Sequence, residues 1–160
     1  MGRIIQTGGG TLRKISAIRA WGGIAPTLFT LAVALSVPPF ACVWGVRWLL
    51  GGLHGVRHLH IRVLPLLAVL SALTFAGILL LGGDDITSRL GHRTVWSVGL
   101  SVSTWAFALF SVLGFVAAVR VRRSEVNRWV FLHSLVASTV FCMATVYLAR
   151  FGVIGLRTWV

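Results

Sequence analysis

Four stretches of this chain, each 21 residues or longer, contain no charged side chain. They cover residues 20–46, 63–83, 94–119 and 129–149. A run of about 20 apolar residues forms a helix long enough to cross the roughly 30 Å hydrocarbon core of a bilayer. In lipid, such a helix also satisfies its own backbone hydrogen bonds. The pattern predicts an all-α integral membrane protein whose four transmembrane helices form an up-down bundle.

The composition excludes a large soluble core. Hydrophobic residues make up 57% of the chain and charged residues only 11%. Soluble domains carry about 25% charged residues. Because the uncharged runs fill most of the sequence, we expect two parts. Residues 1–23 form a basic N-terminal segment, and residues 24–160 form the membrane domain, with spans at about 24–48, 63–83, 94–119 and 129–149.

The N-terminal segment allows two interpretations. Residues 7–10 are rich in glycine, which predicts flexibility. Leu12, Ile15, Ile18 and Trp21 then recur at nearly helical spacing between basic residues, which is typical of a short helix lying in the membrane interface. The alternative is a plain basic flank before the first span.

The net charge of +12 comes from 14 Arg and one Lys against Asp84, Asp85 and Glu125. In a soluble protein this balance would indicate nucleic acid. Here the arginines lie at the ends of the apolar runs, where they anchor helices to phosphate head groups. We therefore expect no nucleic-acid partner. Contact with anionic lipid is predicted for the cluster in the third loop, at roughly 1 kcal/mol per residue: Arg120, Arg122, Arg123 and Arg128.

Small and hydroxyl-bearing residues recur along one face of each of the last two spans. At 100° per residue their spacing keeps each set on one side of a helix, and such stripes let membrane helices approach closely. The third span carries Ser97, Ser101, Thr104, Ala108 and Ser111, and the fourth carries Ser134, Ser138, Cys142, Thr145 and Ala149. We predict that these two spans pack against each other and that the first two face lipid.

A polar pathway for a small solute is the alternative use of these stripes. Such pathways usually contain an ionisable group inside the membrane. His133, one turn into the fourth span, is the only candidate in these spans, so packing is favoured.

The first loop contains the spacing that most resembles a metal site. His54 and His58 are four residues apart and would share a helix face, with His60 close by. No carboxylate or cysteine lies near them in sequence, so they are weak candidates, and we expect neither metal nor cofactor. Contact with lipid phosphate and pH sensing are the other interpretations.

Several segments together resemble a known family. They read RVLPLLA at 62–68, LGHRTVWS at 90–97, FALFSVLG at 107–114, HSL at 133–135, YL at 147–148 and GVIGLRTW at 152–159. Residues from roughly 25 to 160 thus resemble the C-terminal membrane region of bacterial serine hydrolases related to class C β-lactamases and penicillin-binding proteins. In that family a hydrolase domain precedes the membrane region and works outside the cytoplasm.

The catalytic residues of that family are missing. Its nucleophile lies in a Ser-x-x-Lys motif, whereas the single lysine here, Lys14, follows Thr11. The single tyrosine, Tyr147, lies in the fourth span. The resemblance therefore implies a non-enzymatic anchor or scaffold for an extracytoplasmic hydrolase, joined to it or separate. The alternative is a small transporter or channel subunit that acts as an oligomer.

The orientation in the membrane is ambiguous from charge. Seven arginines flank the first and third loops, against four around the second loop and the C-terminal end. The positive-inside rule then places both termini outside. The N-terminal segment adds four basic residues to the side of the termini, which changes the count to seven against eight. The family resemblance implies the bacterial inner membrane with both termini on the extracytoplasmic side.

Overall fold

The computed structural model describes residues 4–7, 10–13, 16–51, 58–82, 92–121 and 126–155. It confirms the predicted all-α membrane architecture with four long helices. These are α1 (Ala17–Leu49), α2 (His60–Leu81), α3 (Val95–Arg120) and α4 (Arg128–Arg150). The bounds of α2, α3 and α4 agree with the predicted spans to within three residues. α1 begins earlier than its span because the helix extends into the basic flank.

The N-terminal segment differs from the predicted interfacial helix. Strands β1 (Ile4–Thr7) and β2 (Gly10–Arg13) pair antiparallel, with Ile5 opposite Leu12 and Thr7 opposite Gly10. Leu12 is therefore in a strand, whereas Ile18 and Trp21 belong to α1. Gly-Gly between two short β-prone runs is a sequence pattern typical of two-residue hairpin turns, and it outweighs the helical spacing.

Side-chain caps mark where two of the helices begin. Thr94 and Ser97 form a capping box at the start of α3, in which the Thr94 Oγ1 accepts from the Ser97 amide at 3.2 Å and the Ser97 Oγ accepts from the Thr94 amide at 3.0 Å. Asn127 Oδ1 accepts from the Trp129 amide at 3.0 Å at the start of α4. These caps fix both starts within one residue of where the apolar runs begin.

The first turn of α2 was predicted wrongly. Pro65 was expected in the first turn, where proline is tolerated, but the helix begins at His60 and Pro65 lies inside it. The polar residues before the apolar run adopt helical structure as well. α1 likewise continues through Pro38-Pro39.

The chain divides into two compact units, Met1–Ala32 and Val33–Val160. In the second unit α3 is central, since it packs extensively against both α2 and α4, while α2 and α4 share a smaller contact. The core is formed by buried apolar side chains from all four helices: Val37, Ala68, Val69, Phe107, Ala137, Val140 and Phe141.

The expectation that the first two spans only face lipid is wrong for α2. It buries Ile61, Pro65, Ala68 and Val69, and its contact with α3 is the most extensive in the bundle. These four residues recur at helical spacing along one side of α2. The face is hard to see in the sequence because the rest of the helix is equally apolar.

Each helix is long and apolar enough to cross a membrane, and at most 33% of the most apolar part of any span is buried inside the protein. The outward faces carry large apolar side chains, among them Leu35 on α1, Leu80 on α2, Leu109 on α3 and Val146 on α4. Faces of this kind are stable in hydrocarbon and not in water. The fold is that of a multi-pass membrane protein.

Candidate functional site

The predicted packing residues lie mostly inside the bundle. Those that the structure buries are Ser97, Thr104, Ala108, Ser111, Ser134, Ser138 and Thr145. Ser101 and Cys142 are half-buried. Ala149 is exposed, so its assignment to the packing face is corrected. It lies in the last turn of α4, where its side of the helix is left uncovered.

Three helices meet at Gly114 of α3. A Cβ atom placed on this glycine would lie 3.1 Å from the Oγ of Ser138 on α4 and 3.5 Å from the Cβ of Leu64 on α2. The first distance is shorter than ordinary van der Waals contact. The missing side chain therefore allows α3 to approach both neighbours at once, as small residues do in membrane helix pairs.

Most hydroxyl groups in the bundle donate to a carbonyl of their own helix. Ser103, Ser111 and Thr145 are buried, and each donates three or four residues back, at 2.9, 2.7 and 2.9 Å. Ser71 and Thr139 do the same at 2.8 and 2.7 Å. These hydroxyls are satisfied without an interhelical partner or a solute. The hydroxyl stripes therefore act mainly through their small size.

Ser138 differs from these residues. Its side chain is 1% exposed, and its Oγ has no hydrogen-bond partner. This oxygen is the atom that faces Gly114. An unpaired buried hydroxyl costs free energy, which is offset here by the close packing that a small residue permits.

His133 links α4 to α1 through a polar contact inside the membrane. Its Nε2 lies 3.1 Å from the Oγ of Ser36, and its ring stacks on Phe40 with centroids 4.2 Å apart. Ser36 donates its one hydroxyl proton to the carbonyl of Val33 at 2.7 Å. With that proton on the Val33 carbonyl, the serine oxygen can accept from His133 in the tautomer that carries a proton on Nε2.

A second long-range hydrogen bond lies toward the other end of the bundle. After α4 ends, the backbone amide of Gly155 donates to the Oγ1 of Thr104 on α3 at 3.0 Å. Gly155 has φ +71°, and a Cβ atom there would lie 2.6 Å from the Nε1 of Trp105. Only glycine suits this turn. The bond satisfies a backbone amide that follows the end of α4.

The predicted charged and histidine sites lie at the helix ends. Arg120 and Arg128 are exposed, as contact with lipid head groups requires, whereas Arg122, Arg123 and His54 lie outside the described residues. His58 precedes α2 with φ +64°, so the predicted helical face does not extend to it.

The rings of His58 and His60 are 5.5 Å apart. In the part of the chain that the structure describes, no three His, Cys, Asp or Glu residues cluster as metal ligands would.

Sequence reasoning missed some of the most specific contacts. The small-residue spacing of α3 continues beyond Ser111 to Gly114 and Ala118, both buried, so extending the stripe would have found them. The partners of His133 and Gly155 lie 97 and 51 residues away along the chain. No local pattern indicates contacts between residues so far apart in sequence.

The fold and its interior define a multi-pass helical membrane protein with small side chains buried between its helices. No known family, curated protein or solved structure matches this chain. The resemblance to the membrane region of serine hydrolases therefore remains a prediction from sequence.

Proposed function

We propose that this chain is a non-enzymatic membrane domain that anchors or scaffolds an extracytoplasmic serine hydrolase of the β-lactamase type in the bacterial inner membrane. The observation that carries the first part of the proposal is the close packing of three helices around Gly114. Where α2, α3 and α4 meet, Gly114, Ser138 and Leu64 fill the space.

The way the hydroxyl groups bond favours a scaffold over a transporter. A solute pathway needs polar groups that turn toward a lumen and exchange partners with the solute. In this bundle Ser111 and Thr145 bond to their own helices. The half-buried ionisable group of α4, His133, is held between Ser36 and Phe40. This arrangement supports a structural role for the polar residues.

The choice of a hydrolase partner rests on the sequence motifs that resemble the membrane region of such enzymes. An anchor of this kind needs a stable bundle and exposed helix faces or termini for its partner, and it needs no catalytic residue of its own. The part of the apolar helix α1 that belongs to the second unit, whose exposed side chains include Leu35 and Val43, offers such a face.

Partner capture with an active-site label tests the proposal. The tagged chain is purified from the membranes of its own cell after labelling with a fluorescent penicillin, which acylates the reactive serine of this hydrolase class. We expect a labelled protein to copurify. An unrelated tagged four-span protein and competition with unlabelled penicillin are the controls. Recovery of the chain without any labelled protein would contradict the hydrolase partner.

A flux measurement separates the scaffold from the alternative transporter. The purified chain is reconstituted in liposomes that contain a pH-sensitive dye or a self-quenching solute. We expect leakage equal to that of empty liposomes. Flux that rises with the amount of protein and disappears in His133→Phe would overturn the scaffold proposal in favour of a transport role.

A further inference from the structure

The middle of α1 contains a gap in its backbone hydrogen bonds. Proline has no backbone N–H, so it cannot donate to the carbonyl four residues earlier. Pro38 and Pro39 follow Leu35 at three and four residues, and α1 continues through both. The next amide, that of Phe40, belongs to the carbonyl of Ser36. The Leu35 carbonyl therefore lacks the donor of an α-helix and also that of a 3₁₀-helix.

This gap lies on the outward side of α1 and far from water. Leu35 and Pro39, which flank it, are both exposed. Leu35 is the middle residue of the 29-residue span Trp21–Leu49, so about 21 Å of helix separates it from either end. Acyl chains offer no hydrogen-bond donor, and a backbone group without a partner is costly in hydrocarbon. Among the described residues no side chain donates to this carbonyl, so another membrane-spanning segment must supply the donor.

The Ser36 hydroxyl is an exposed donor at the same depth. Within its own helix a serine reaches the carbonyls three and four residues back, not the one directly before it, and Ser36 donates to Val33 at 2.7 Å. The Val33 carbonyl also has a helical donor, the amide of Val37. The hydroxyl proton can therefore move to an outside acceptor without leaving a carbonyl unsatisfied, and the Ser36 oxygen can keep its contact with His133.

We propose that α1 binds the α1 of a second copy of this chain, so that each Ser36 hydroxyl donates to the Leu35 carbonyl of the other copy. Two copies inserted in the same direction and related by a two-fold axis bring identical residues to one depth, which makes the two bonds reciprocal. The pairing is independent of the proposed hydrolase, which can reach the same chain beside this face or at its termini.

The face of α1 around Ser36 suits a parallel pair of helices. Pro39, Val43 and Val46 are exposed and follow Ser36 at steps of three, four and three residues, the spacing that lines one side of a helix against a parallel partner. Arg47, the nearest charged residue of α1, lies about 16 Å farther along the axis. Like charges therefore do not meet where the two helices cross.

Dimerisation in liposomes tests the proposal. Two samples of the purified chain carry a donor or an acceptor dye, and energy transfer measured over a range of protein-to-lipid ratios gives the dissociation constant. Ser36→Ala removes the donor, and Pro39→Ala gives the Leu35 carbonyl a backbone donor of its own. We expect each substitution to weaken the dimer about eightfold, the effect of two interhelical hydrogen bonds of average strength in a membrane.

Two control variants separate this contact from its surroundings. His133→Phe removes the imidazole beside Ser36 but keeps the hydroxyl, so the dissociation constant should stay nearly unchanged. Pro38→Ala restores a donor to the carbonyl of Ala34, a half-buried residue, and should also leave the dimer intact. A loss in either control as large as that of Ser36→Ala would overturn the proposal. Helical circular dichroism shows that each variant is folded.

Cross-linking in the membranes of its own cell identifies what covers this face. Val43→Cys is introduced after both native cysteines are replaced by alanine, and Leu80→Cys, on the exposed face of α2, is the matched control. Copper phenanthroline should join two copies through position 43 and not through position 80. A monomer in both variants, or a cross-link from position 43 only to a different protein, would contradict the second copy. Equal dimerisation of Ser36→Ala, Pro39→Ala and the parent chain would contradict the hydrogen bonds.

Discussion

Gly114 is a position where the size of one side chain decides how closely three helices pack. A Cβ atom there would meet Ser138 at 3.1 Å and Leu64 at 3.5 Å. We predict that Gly114→Val destabilises the bundle by about 1–3 kcal/mol, the usual cost of overpacking a filled core. The free energy of unfolding is measured by titration with SDS in mixed micelles, followed by circular dichroism.

Gly77 of α2 is the matched control for this substitution. A Cβ atom there would meet nothing within 4 Å. Gly77→Val introduces the same side chain into a helix and should change the free energy of unfolding by less than about 0.5 kcal/mol. If the two substitutions cost the same, helix propensity and not packing would explain the role of Gly114.

The unpaired hydroxyl of Ser138 predicts an unusual response to alanine. Ser138→Ala removes a buried oxygen that has no partner, so we expect stability to stay equal or to rise by up to about 1 kcal/mol. Ser111 is equally buried, but its hydroxyl donates to Phe107, so Ser111→Ala should cost about 0.5–1 kcal/mol. The comparison uses the same SDS titration. Equal losses for the two variants would mean that the Ser138 hydroxyl has a partner in the membrane.

The burial of single residues could be predicted where only the size of the side chain matters. Small side chains at helical spacing identified Ser97, Ser134 and Ser138 as candidates for the interior, where the structure buries them. Hydrogen-bond partners were not predictable, because a serine that bonds within its helix and one that does not have the same sequence pattern. Ser36 looked like any residue of an apolar helix, and its contact with His133 depends on how α1 and α4 are placed.

Among the helices, α2 shows most clearly that hydropathy does not reveal which face of an apolar helix is buried. Its length and position could be predicted, since an uncharged run of this length has few alternatives in lipid. Its buried face could not, because apolar residues cover all sides and give no amphipathic signal. The proline inside it, Pro65, is also buried in the bundle.

The contact between α1 and α4 can be measured by a double-mutant cycle. His133→Phe keeps an aromatic ring for stacking on Phe40 and removes the donor to Ser36, while Ser36→Ala removes the acceptor. We expect a coupling free energy of about 0.6 kcal/mol, the average for interhelical hydrogen bonds in membranes. Each variant is unfolded with SDS in the same micelles.

The reference pair for this cycle is Ser71→Ala with His133→Phe. Ser71 donates to Leu67 within α2, so its coupling to His133 should be close to zero. A coupling between Ser36 and His133 that is no larger than this would contradict a direct hydrogen bond between α1 and α4.

For the whole molecule, orientation is the property on which the proposed function depends most. We predict that both termini face the extracytoplasmic side. Alkaline phosphatase fused after Val160 should therefore be active, and a green fluorescent protein fused there should be dark. The reasons are the seven arginines that flank the first and third loops, against four around the second loop and the C-terminal end when the N-terminal segment is left out, and the position of the hydrolase in the family that the sequence resembles.

A second fusion point gives the internal control. Reporters joined after Leu50, at the end of α1, should show the opposite result, with fluorescence and no phosphatase activity. An inactive phosphatase at Val160 would place the C-terminal end inside and would exclude an extracytoplasmic partner at that end.

The overall architecture could be predicted almost completely, because the bilayer permits few solutions for four long apolar runs. The arrangement of the helices could not, since the sequence favoured α3 with α4 whereas α3 also packs against α2. Helices that follow one another in sequence usually pack against each other. Because α3 has a sequence neighbour on each side, α2 and α4, this rule does not choose between them. Which contact dominates depends on shapes that only the assembled bundle defines.

Two hydrogen bonds between described residues join distant parts of the chain, and they have a mechanical consequence. His133 with Ser36, and Gly155 with Thr104, lie toward opposite ends of the bundle. Most hydroxyls bond within their own helices and therefore offer no resistance when neighbouring helices slide along each other. These two long-range bonds do resist sliding, because each joins one helix to another part of the chain. Under lateral tension in the bilayer, we expect the bundle to tilt as one body before α1 or the segment after α4 shifts along its axis.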